Sequence, residues 1–309
     1  MDAPSVSARR ERRIGYACAI AVLFVWAGFL ISSRLSAKQA LTAWDVAALR
    51  YAGAFLAAVP VAALLGWPRL PPLRAAAVVG TAAFGFPLLA YHGFGLAPAS
   101  HGGVMLPGTL PFLTAAMGAA VLGERWDFRR LLSLLVVGFG ILLLASDTFG
   151  TYPGAWRGDL LFLAGATSWA VYTMLVRRWR LSAMEATLSA ALWAGPIYLP
   201  IWWLMLPSNM AAVAPGAILY QLVFQGVFAV LVAGFLFTRA VTAIGPVRTT
   251  TVTSLVPGMA ALAAWPLLDE PLGLVGLAGI ALVTAGMVVG VTKVGSDRTG
   301  PNQAGPKGA

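Results

Sequence analysis

Apolar residues fill this chain in ten long blocks, separated by short segments that are polar, basic or marked by Pro and Gly. The blocks run over Ile14–Ser33, Trp44–Leu65, Ala75–Gly95, Gly102–Leu122, Leu131–Ser146, Leu160–Val176, Ala186–Leu206, Ile218–Phe237, Thr249–Leu268 and Leu272–Val291. A helical span of a bilayer needs about 20 mostly apolar residues. The blocks are continuously apolar rather than alternating, so they read as helices and not as strands of a barrel. The first follows Arg9, Arg10, Arg12 and Arg13 and looks like a signal peptide. Its apolar run is too long for a cleaved one and its pattern returns later, so it reads as the first span.

The pattern occurs twice. Glu124 and Glu270 each stand thirteen residues after a proline, Pro111 and Pro257, and the same offset of 146 carries Gly140 onto Gly286. Trp26, Phe29 and Arg34 have the spacing of Trp169, Tyr172 and Arg177. Two halves of five spans each must cross the membrane in opposite senses, the inverted build of many secondary transporters. The expected fold is therefore all-α and polytopic, with ten transmembrane helices in two inverted five-helix repeats, residues 14–146 and 157–292.

Composition sharpens this picture. The 309 residues are 59% hydrophobic and 10% charged, where a soluble domain carries about 25% charged residues. The net charge of +10 comes from residues at span ends, not from a clustered basic patch, so it sets topology and does not point to nucleic acid. With the N-terminus inside, only Arg34, Lys38 and Arg157 fall outside and Arg50 lies within a span, leaving seventeen of the 21 Lys and Arg cytoplasmic. That places both termini in the cytoplasm, as a tail over 1–13 and a disordered Gly/Pro-rich tail over 293–309. The single cysteine, Cys18, excludes an intramolecular disulfide. The sequence holds no metal-ligand cluster, phosphate loop or nucleophile elbow, so no cofactor or metal is expected.

The candidate site comes from helical spacing. Trp169 and Tyr172 stand three residues apart and share a helix face, as do Trp26 and Phe29. These faces line a central cavity or, on the competing reading, pack against lipid. Trp202 and Trp203 read as interface anchors. His92 beside Tyr91 could meet a substrate carboxylate or relay a proton; the alternative for His92, and the favoured one for His101, is a bond to a backbone carbonyl. Pro107, Gly108 and Pro111, with Pro257 and Gly258, are expected to break or kink their helices, as a gating feature or for close packing. Glu124 and Glu270 read as carboxylates that complement the starts of spans 5 and 10 and pair with Arg. Arg50 reads as snorkelling to the outer interface. No acidic residue lies near the middle of a span, which disfavours a cation/proton antiporter and favours neutral or zwitterionic cargo.

The Gly158–Asp159 start of span 6 followed by Trp169 and Arg177, the Pro111 to Leu122-Gly123-Glu124-Arg125 run, and its echo from Pro257 to Leu268-Asp269-Glu270 resemble the drug/metabolite transporter superfamily, specifically its EamA-type ten-span exporters. The resemblance covers Ile14 to Val291, and Asp269 departs from it where the first half has Gly123. It implies an inner-membrane carrier with a central cavity, working by alternating access on amino acids or other small metabolites. Hydrophobic or aromatic amino acids suit Trp26, Trp169 and Tyr172, with Tyr91 and His92 for the polar end. A carrier of lipid-linked or nucleotide-linked sugars is the alternative, and would want more basic cavity residues than Arg50. A membrane-embedded enzyme would need a catalytic set that two histidines do not supply. Monomer and homodimer both remain open.

Overall fold

A computed structural model describes residues 6–122, 128–148 and 152–292. Glu124 and the 293–309 tail lie outside the described residues. Ten helical spans follow one another: α1 (Val6–Lys38), α2 (Ala43–Leu65), α3 (Pro72–Leu96), α4 (Ala99–Leu122), α5 (Phe128–Thr148), α6 (Ala155–Trp179), α7 (Ala183–Met205), α8 (Pro215–Ile244), α9 in two pieces (Pro246–Thr253 and Val256–Leu268), and α10 (Leu274–Thr292). Eight are long and apolar enough to cross a membrane, and α5 and α10 contain shorter apolar stretches. The outer surface is apolar, with Leu64, Leu73, Leu204 and Leu274 exposed, while Gln221 and Gln225 are sealed inside. Apolar outside and polar inside is the arrangement a bilayer requires.

The helix ends explain themselves locally. α2 and α7 each start with a capping box, Thr42 with Asp45 and Ser182 with Glu185, in which side chain and backbone satisfy each other's free groups. Pro72 and Pro215 occupy the first turns of α3 and α8, where a missing N–H costs nothing. Both of these helices widen into π geometry, over Val79–Gly85 and Leu222–Val232, beginning 143 positions apart.

Packing reveals the pseudo-two-fold. α1 packs on α8 as α6 packs on α3; α2 packs on the π segment of α8 as α7 packs on that of α3; α1 meets α9 as α6 meets α4. α2–α7 and α5–α10 pair with their own counterparts. The last pair carries the symmetry to atomic detail. A Cβ at Gly140 would stand 2.6 Å from the Gly279 carbonyl and 2.8 Å from the Val283 amide. One at Gly286 would stand 3.1 Å from the Ser133 carbonyl and the Val137 amide, and these partners are 146 positions earlier. Small residues thus let two short helices approach backbone to backbone, and Ser133 Oγ donates to the Gly286 carbonyl at 2.6 Å.

Prolines behave differently in the two halves. α4 runs unbroken through Pro107 and Pro111. α9 does break, at Ser254–Leu255, just ahead of Pro257. Gly108 packs on Val283 of α10, and Gly258 borders a shallow groove with Leu255, Met259 and Thr284.

Candidate functional site: a cavity shared by the two repeats

A cavity of about 90 Å³ lies between α2, α3, α6, α7 and α8. Its lining comprises Arg50, Tyr51 and Ala54 of α2, Ala82 and Ala83 of α3, Trp169 and Tyr172 of α6, Thr187, Ala190, Ala191 and Ala194 of α7, and Ala229 and Val230 of α8. Both π segments contribute, in line with the tendency of π turns to mark functional places. The offset of 140 set by the two capping boxes carries Arg50, Tyr51 and Ala54 onto Ala190, Ala191 and Ala194. The cavity therefore straddles the pseudo-axis, with a polar wall from the first repeat facing an alanine wall from the second. Trp169 lies 4.9 Å, centroid to centroid, from both Tyr172 and Phe86, which fixes the aromatic floor.

Beside the cavity runs a buried polar network. Ser32 Oγ donates to Gln221 Oε1 at 2.9 Å, and Gln221 Nε2 returns to the Ser32 carbonyl at 3.1 Å. Gln225 Nε2 reaches Ser32 Oγ and Ser33 Oγ, Tyr91 donates its hydroxyl to Gln225 Oε1 at 3.1 Å, and Arg50 donates to the Gln225 carbonyl at 3.3 Å. Tyr51 donates to the Ala83 carbonyl in the other π segment. Adjacent residues of α2 thus hold one π segment each. Gln221 and Gln225 were not among the sequence candidates. Two amides four residues apart in an apolar span, hence on one face, are the signal that would have found them.

The structure brings some of the expected residues together and not others. Trp169 and Tyr172 line the cavity, and Tyr91 is linked to the lining residue Arg50 through Gln225. Trp26 stacks on Phe237 of α8 at 5.4 Å and does not border the cavity. His92 engages the Leu88 carbonyl at 2.8 Å through Nδ1 and meets Trp44 edge-on at 4.4 Å, also outside the cavity lining. Arg50 requires a correction: it does not snorkel but is 9% exposed, with its guanidinium 5.6 Å from the Phe29 ring centre. α8 supplies a carbonyl and α1 an aromatic face, so the side chain finds polar and cation–π partners inside. Trp202 is likewise no simple anchor, since its indole N–H donates to Asp45 at 3.1 Å. Trp203 is 77% exposed.

At the end of the bundle opposite the chain termini, polar contacts tie the two repeats together. Glu270 pairs with Arg34 at 2.6 Å, and its other oxygen accepts from the Ala99 amide at 2.9 Å. It therefore caps α4, not α10 as the sequence suggested. Arg34 also donates to the Phe94 carbonyl at 2.6 Å, and Lys38 to the Leu268 carbonyl. His101 meets the Asp159 carboxylate at 2.8 Å, where a backbone carbonyl was expected. In the 5–6 loop, burial raises the Tyr152 phenol above its usual pKa, and the Glu270 charge pushes it the same way. Among the described residues, no group of three or more His, Cys, Asp or Glu could hold a metal ion.

An inverted ten-helix bundle with a cavity on its pseudo-axis defines the class: a polytopic membrane carrier. The chain belongs to the EamA-like transporter family, whose model matches residues 13–146 and 156–292, one domain per repeat. It is similar in fold to a solved crystal structure at a TM-score of 0.63 and 19% identity, over 91% of this chain and 96% of that one. No curated protein matches it in sequence.

Proposed function

We propose that this transporter exports small metabolites from the cytoplasm across the inner membrane, with hydrophobic or aromatic amino acids as its cargo. The observation that carries the reading is the aromatic floor of Trp169 and Tyr172 in a cavity built by both repeats. Aromatic rings bury apolar area and stack on a cargo side chain. The volume of about 90 Å³ is below the 150 Å³ or so that accepts benzene. Cargo therefore enters as the repeats move, and the polar contacts from Arg34 to Asp159 hold the far end closed meanwhile. The distribution of basic residues supports cytoplasmic termini, and in that orientation the closed end faces outward.

Proteoliposomes loaded with single amino acids and assayed for counterflow of the labelled compound test this. Exchange of phenylalanine, tryptophan or leucine above protein-free vesicles is the expected result. Exchange of none of the twenty amino acids would remove the reading.

A further inference from the structure

We infer that Arg50 is the binding residue for a carboxylate on the cargo, so that the substrate class is small organic acids with an apolar body. The inference rests on the transport reading above and adds the chemistry of the cargo's polar end.

Three observations carry it. Arg50 is 9% exposed and has no ion pair among the described residues. A buried guanidinium is costly without a counter-charge. Its guanidinium donates to the Gln225 carbonyl at 3.3 Å and also bonds the Tyr91 hydroxyl, neutral partners that do not use all five of its donors. Arg50 also lines the cavity. A guanidinium, whose planar fork can hold a carboxylate, thus borders the space the cargo enters.

The surroundings select the rest of the ligand. The cavity lining contains no acidic side chain, so nothing there demands an ammonium group. The place equivalent to Arg50 in the second repeat is Ala190, across the same cavity. One cation on one wall recognises one anionic group and fixes which way the cargo points. The volume of about 90 Å³ is small, so the carboxylate belongs at Arg50 and the ring over Trp169.

The test uses the detergent-solubilised full chain and reads ligand-induced shifts in thermal unfolding. The probes are phenylalanine, phenylpyruvate and phenylalaninamide, which share one body. Wild-type protein should bind both acids, and the amide on the order of ten- to hundredfold more weakly, the range expected for a charge-assisted bond. Arg50→Gln should abolish the preference for acid over amide, and Arg50→Lys should keep part of it. The comparison of acid with amide on wild type stands even if a variant does not fold. Equal binding of acids and amide would overturn the role of Arg50 and leave the carrier reading intact. Binding of none of the three would overturn the role of Arg50 together with the aromatic-cargo reading.

Discussion

Arg34 and Glu270 lie 236 positions apart, in different repeats, and meet at 2.6 Å. The carboxylate is 3% exposed and also caps α4, so three segments of chain converge on it. Removing one partner of a buried pair leaves a lone charge and costs about 3–5 kcal/mol. Glu270→Ala should therefore lower the thermal unfolding temperature clearly, and Arg34→Ala/Glu270→Ala should recover part of that loss. If the double variant is less stable than Glu270→Ala by the full effect of Arg34→Ala alone, the pair is not coupled.

Trp169→Ala should weaken transport of an aromatic cargo by roughly two- to tenfold, the value of one stacking contact. Membrane insertion should be unchanged, because no span is lost. Trp203→Ala, at a position 77% exposed, should leave transport near wild type. Initial-rate measurements over a range of cargo concentration separate the two, with the Trp169 effect in KM.

Reporter fusions check the orientation. A fusion after residue 292 should give a cytoplasmic signal, and one in the loop at Ser208 a periplasmic signal. The reverse pair of signals would turn the molecule over and make the closed end the inner one.

Helix crossings give the sharpest stability contrast. A Cβ at Gly226 would stand 2.6 Å from the Gly53 Cα, where α2 and α8 touch, whereas one at Gly80 meets nothing within 4 Å. Gly226→Ala should cost about 1–3 kcal/mol of stability by overpacking. Gly80→Ala should cost nothing measurable. Thermal unfolding of the two variants side by side decides the matter.

The number of helices and their doubling were legible because span length and repeat spacing are written directly in the residues. Pro111–Glu124 against Pro257–Glu270 needed only counting. The lining was harder, because it depends on which helix of one repeat lies against which helix of the other. Arg50, seven residues into α2, looks from its own helix as though water were within reach. It is α8, 175 positions away, that supplies its carbonyl partner. Gln221 and Gln225 escaped because a search for ionisable groups passes over neutral amides. Trp26 shows a limit of repeat arguments: its equivalent Trp169 lines the cavity, whereas Trp26 itself is taken up by stacking on Phe237.

The paired π segments at Val79–Gly85 and Leu222–Val232 bear on how such a bundle moves. A π turn packs more residues into each turn than an α turn does, so each segment stores slack in a helix that must still span the same bilayer. Taking up that slack turns or lengthens the rest of α3 or α8 without unpicking the whole backbone ladder. Tyr51 and Arg50 act as latches, one on each reserve of chain. A ligand that draws Arg50 away from the Gln225 carbonyl would release the α8 latch and leave the α3 latch closed, so occupancy of the cavity and the winding of a single helix become one mechanical event.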